Sequence, residues 1–157
     1  MPAAAAVTVP SDPRLLGRDV KRIAFDEATL RARTAELGRE ITASYPDGDL
    51  LVLGLLKGSF VFAADLIRAM HHAGLSPEVD FMILSSYRQQ TVSSGRVDVL
   101  RDIETDVAGR DVLLIDDILE SGRTLAFAKD LLAARGARRV MAAVLLDKPG
   151  HRAAAIA

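Results

Sequence analysis

The chain has 157 residues, half of them hydrophobic, with 20 basic side chains against 21 acidic ones and a net charge of −1. That length suits one domain burying roughly two thirds of its unfolded surface, and the charge balance excludes a general pull toward nucleic acid or an anionic membrane. The lack of cysteine excludes disulfides and thiolate metal sites and fits a reducing cytoplasm.

Residues 1–24 read as a tail and lead-in, and 25–157 as the folded domain. PAAAAVTVP has no basic residue ahead of its apolar ones, which favours a disordered tail over a secretory signal. Asp26 precedes EATLRARTAELGREITASY, where Leu30, Ala35, Leu37 and Ile41 recur at helical spacing and Asp26 can cap the free amides. Pro46, Asp47 and Gly48 make a turn, and LLVLGLL, Leu50 to Leu56, reads as a buried strand. This strongest apolar run stops at Lys57, far short of the ~20 residues that span a bilayer, so a soluble protein is expected.

Ser59 is the expected cap of a helix through FVFAADLIRAMHHAG, with Phe60, Ala64, Leu66 and Ile67 on its apolar face and Gly74 as its stop. His71 and His72 in its last turn face different directions, so they suit the helix dipole better than a metal. Val79 to Ser86 reads as a second strand, and RQQTVSSG, Arg88 to Gly95, as a mobile polar loop. Val97 to Ile103 alternates like a half-exposed strand. Asp111 to Asp116 is a buried strand, Thr124 to Arg135 a helix stopped by Gly136, and Val140 to Leu146 a further strand. Strands alternating with helices predict a parallel α/β sheet with right-handed crossovers.

Ligands of such sheets gather at the carboxyl ends of the strands, which singles out Lys57-Gly58, Asp116 to Thr124, and Asp147-Lys148. In DDILESGRT two adjacent carboxylates leave an apolar strand. A turn with Ser121, Gly122 and Thr124 then opens a helix and can bring amides and hydroxyls around a phosphate. The carboxylates alone would repel that phosphate, whereas a sugar hydroxyl or a bridging Mg²⁺ resolves the conflict. One sugar phosphate satisfies both halves. The blander reading, two aspartates ending a strand and Ser121 capping a helix, accounts less well for three acids within five positions between a strand and a helix.

The run VLLIDDILESGRTL closely resembles the phosphoribosyl-pyrophosphate motif of type I phosphoribosyltransferases, and GLLKGSFVFAADL, VDFMILSSY and VLLDKP resemble segments of the hypoxanthine-guanine phosphoribosyltransferases. The likeness runs from about Phe25 to Pro149. It implies the type I phosphoribosyltransferase fold, an α/β fold with a mainly parallel sheet flanked by helices. It also implies that Asp116 and Asp117 hold the ribose hydroxyls, directly or through Mg²⁺. Glu120, Ser121, Gly122, Arg123 and Thr124 would hold the 5-phosphate. The Leu56–Lys57 bond would be the family's non-proline cis peptide, and Gly58 would let pyrophosphate approach the backbone. Ser86 and Tyr87 match the start of a loop that closes over pyrophosphate and excludes water. Lys148 matches the lysine that contacts the purine 6-oxo group and so favours hypoxanthine or guanine over adenine.

The implied reaction is displacement of pyrophosphate from ribose C1 by purine N9, giving IMP or GMP. A carboxylate near N7 manages the base proton; the family usually supplies an aspartate there, and this chain has Glu120, one methylene longer. Family members normally continue past DKP into further strands, whereas HRAAAIA follows here, so the C-terminal hood is expected to be largely missing. The implied partners are phosphoribosyl pyrophosphate and a 6-oxopurine, in a cytoplasmic homodimer or homotetramer. Two alternatives stay open: a transferase acting on another base such as xanthine or adenine, and a donor-binding regulatory protein of the same fold. A phosphorylation-receiver module is excluded, because its acid pair would follow the first strand with a phosphoacceptor two strands later.

Overall fold

Asp26 starts the first helix as its position predicts. Its carboxylate accepts the Thr29 N–H at 2.8 Å, and α1 runs from Glu27 to Ser44. The computed structural model describes residues 22–86 and 97–154. Within them follow β1 (Leu51–Leu56), α2 (Phe60–His72), β2 (Glu78–Ser86), β3 (Val97–Arg101), β4 (Asp111–Leu119), α3 (Arg123–Ala134) and β5 (Arg139–Asp147). The predicted loop at Arg88 to Gly95 lies outside the described residues.

The sheet order is β3-β2-β1-β4-β5. β1 lies parallel to both β2 and β4, β4 lies parallel to β5, and β3 alone runs antiparallel, against β2. The sheet is therefore mainly parallel, with one antiparallel edge. Alternation along the strands divides the core between its two faces. Leu50, Val52, Leu113 and Ile115 pack with Phe62, Leu66 and Met70 of α2 and with Ile41 of α1. Leu51, Leu53, Leu55, Val112 and Leu114 pack with Leu125, Ala128 and Leu132 of α3. Both faces of β1 are covered, which is why LLVLGLL is apolar throughout rather than alternating. Each fully buried leucine here contributes roughly 1.5–3 kcal/mol.

Several expectations change. Phe60 is exposed, the buried face of α2 being made by Phe62, Ala63, Leu66 and Met70, and β3 ends at Arg101, short of Ile103. Ser59 precedes α2 but does not cap it. Its backbone is already helical, and its buried hydroxyl donates to the Leu55 carbonyl at 2.6 Å, tying the helix start back to β1. The strand expected to end at Asp116 continues to Leu119, because β5 keeps pairing with it: Asp116 opposes Val144, Ile118 opposes Leu146, and Leu119 opposes Asp147. Backbone pairing sustains this extension beyond the apolar core.

Away from the strand ends, Asp80 of β2 gathers the chain that follows β3. Its carboxylate accepts the N–H groups of Phe81, Glu104 and Thr105 at 2.7, 2.9 and 3.0 Å. At the amino end of β4, buried Asp111 accepts from Arg138 and Arg139 at 2.7 and 2.8 Å, and Arg139 also stacks over the Tyr45 ring.

Candidate active site at the strand ends

β1 delivers Lys57 and Gly58 to the carboxyl edge of the sheet, and the Leu56–Lys57 peptide is cis. Next to it, β4 delivers the two aspartates. Residues 113 and 115 face α1 and α2, so Asp117 faces the same side and Asp116 the side of α3. The Asp117 carboxylate lies directly over Gly58: a Cβ built on that glycine would sit 2.2 Å from Asp117 Oδ2 and 2.9 Å from its Cγ. Only a residue without a side chain admits this approach.

Asp116 is half-buried, and that burial pushes its carboxyl up to about 6. The Asp117 N–H, which donates to Asp116 Oδ1 at 2.9 Å, works against that rise, and the neighbouring Asp117 charge adds to it. A cation placed beside this pair would draw Asp116 back to its ionised form. Among the described residues no group of three or more His, Cys, Asp or Glu side chains is arranged to hold a metal. Two hard carboxylates with open positions suit Mg²⁺, which takes one or two protein carboxylates and completes its shell with substrate oxygens and water.

The turn between β4 and α3 carries Glu120, Ser121 and Gly122. Gly122 precedes α3 in the left-handed conformation, φ 79°, which glycine alone adopts without strain. Arg123 and Thr124 form the first turn of α3, where backbone N–H groups and the helix dipole favour an anion. The Ser121 hydroxyl lies 3.4 Å from the Arg123 N–H.

From β5, Lys148 reaches across to Glu120, Nζ to Oε1 at 2.7 Å, while its backbone N–H extends the ladder to the Leu119 carbonyl at 2.9 Å. The sequence assigns both side chains to the base but does not reveal that they pair. Ser86 ends β2 opposite Val97, and Tyr87 lies outside the described residues. The structure thus brings Gly58, Asp116, Asp117, Glu120 to Thr124 and Lys148 to one edge of the sheet, with Lys57 exposed beside Gly58. Sequence reasoning missed Arg152, Ala153 and Ala154, which fold back onto this turn. No motif marks them; only an arginine shortly after the strand end hints at a role.

Residues 26–156 match the family model described as phosphoribosyl transferase domain. The hypoxanthine-guanine phosphoribosyltransferase of Bacillus subtilis is 41% identical over 142 residues, which covers 90% of this chain and 77% of that protein. A protein of the same name from Streptococcus agalactiae is 41% identical over 138 residues, covering 88% and 75% respectively. The crystal structure of a hypoxanthine phosphoribosyltransferase from Staphylococcus aureus superposes with a TM-score of 0.80 at 37% identity, over 88% of this chain and 74% of that one.

Proposed function

The chain belongs to the phosphoribosyltransferase family, within its hypoxanthine-guanine group, and from that we propose that it transfers 5-phosphoribosyl from phosphoribosyl pyrophosphate to hypoxanthine or guanine. The products are IMP or GMP and pyrophosphate, a purine-salvage reaction. The observation that carries the choice of base is the Lys148–Glu120 pair. An ammonium and a carboxylate side by side match an edge that offers a carbonyl oxygen next to a ring N–H, as the 6-oxo group and N7 of these purines do.

In this reading Asp116 and Asp117 bind the ribose hydroxyls, and Glu120 to Thr124 hold the 5-phosphate at the start of α3. Lys57 and Gly58 orient the pyrophosphate, and by the family resemblance Ser86 and Tyr87 begin the loop that closes over it. Lys148 donates to the 6-oxo group and selects against adenine. Glu120 takes the proton the base gives up as N9 bonds to C1 and the C1–oxygen bond to pyrophosphate breaks. Asp116 and Asp117 would hold Mg²⁺, which supplies positive charge to the departing pyrophosphate.

We take the domain to run over 25–157 and the protein to act in the cytoplasm, a reading with which the lack of cysteine is compatible. A homodimer or homotetramer is supported by the family resemblance and by the exposure of Phe60 and Val61 at the start of α2. A Mg²⁺-dependent assay of hypoxanthine, guanine, xanthine and adenine tests the function. Pyrophosphate release with the first two bases supports it. Donor binding with no release from any base would replace it by a regulatory role.

A further inference from the structure

The turn between β4 and α3 is fastened by a segment outside the strand–turn–helix unit. Ala153 and Ala154 both donate their backbone N–H to the Ser121 carbonyl, at 2.9 and 3.1 Å. Just before them, the Arg152 guanidinium bonds the Asp147 carboxylate at the end of β5 and reaches the Glu120 carbonyl at 3.5 Å. Both carbonyls at the start of the turn are thereby drawn toward one side.

That direction matters for an anion. A phosphate needs N–H groups facing it, and a carbonyl oxygen turned inward would repel it. In a trans peptide the C=O and N–H point opposite ways, so holding the Ser121 oxygen on the Ala153 side aims the Gly122 N–H away from it. Gly122 is buried, yet among the described residues its N–H has no protein acceptor. A buried, unmatched backbone donor is uncommon and points to a ligand that completes it.

We propose that Arg152 to Ala154 form a brace that keeps the turn in its phosphate-accepting form, with Arg152 as a positioning residue. The proposal rests on the reading of Glu120 to Thr124 as the 5-phosphate loop. Because Asp147 adjoins Lys148, the same brace also joins the phosphate turn to the strand end that carries the base-recognising lysine.

The test uses the full chain with ribose 5-phosphate as the probe, measured by calorimetric titration, together with hydrogen exchange. Ala153→Pro removes one brace donor without changing charge, Arg152→Ala removes the guanidinium, and Arg152→Lys keeps one cationic donor. The first two variants are expected to bind the probe about tenfold more weakly, with Arg152→Lys in between, a loss of about 1.4 kcal/mol. Their KM for the donor should rise more than kcat falls. Exchange should quicken at 120–124 and stay unchanged in β1, which separates a loosened turn from general destabilisation. If Ala153→Pro does not fold, the two substitutions at partly exposed Arg152 carry the test. Wild-type affinity in the variants overturns the brace alone. A wild-type protein that fails to bind ribose 5-phosphate removes the phosphate loop and the brace with it.

Discussion

Gly58 and Asp117 meet across neighbouring strand ends so closely that a single methyl group on the glycine would lie 2.2 Å from the carboxylate oxygen. The obstructed atom is the end of a rotatable side chain, so Gly58→Ala is expected to turn Asp117 aside rather than unfold the protein. A misplacement of about 1 Å at a positioning group can cost on the order of 100-fold. We expect KM for the donor to rise at least about tenfold, with a melting temperature within a few degrees of wild type. Steady-state kinetics beside thermal melting checks both halves, and an unchanged KM would sink the idea that this contact sets Asp117.

Asp117→Asn tests the ribose placement from the other partner. It keeps shape and removes charge, so the fold should hold while donor affinity in Mg²⁺ drops about tenfold or more, two charge-assisted bonds becoming neutral ones. Titration with phosphoribosyl pyrophosphate reads this directly. Equal affinity for the two proteins would place the ribose elsewhere.

Much of this arrangement is legible in the residues alone. Both faces of β1 are buried, and the apolar run shows it; Asp26 is followed by a helical period, and it caps. What stays hidden depends on register. Asp116 and Asp117 look like the end of a strand because charge replaces hydrophobicity there, yet the ladder to β5 persists through Leu119 by backbone bonds that no side chain announces. Only that register, Leu119 beside Asp147, brings Glu120 next to Lys148. Ser59 misleads for a related reason: a serine ahead of a helix reads as a cap, but its hydroxyl is taken by the Leu55 carbonyl.

Asp80 supplies a pH dependence separate from catalysis. Burial works to raise its pKa, but the N–H donors of Phe81, Thr105 and Glu104 outweigh it and hold the carboxyl below its ordinary value of 3.8. A folded-state pKa below the unfolded one means the unfolded chain binds the proton more readily. The stabilisation is therefore complete well above pH 3.8 and is lost as pH falls through the lower folded value. Asp80→Ala should cost about 2 kcal/mol at neutral pH, through hydrogen bonds to a charged acceptor, and should flatten the acid limb of the stability curve. Chemical denaturation at a series of pH values measures both, and an equally steep acid limb in the variant would assign it to other carboxylates.

The Glu120–Lys148 pair separates proton transfer from base recognition. If Glu120 takes the base proton, Glu120→Gln retains an oxygen near Lys148 but cannot accept the proton, and kcat should fall about 100-fold with donor KM little changed. If Lys148 selects the 6-oxo group, Lys148→Met removes the donor that prefers a carbonyl. KM for hypoxanthine and guanine should then rise about tenfold, and the margin over adenine should shrink. Because the two groups touch at 2.7 Å, the double variant is expected to lose less than the product of the single losses, since each single substitution already breaks the contact between them. Multiplicative losses in the double variant would mean that the two side chains act on the base independently and that the pair closes only while the base is absent.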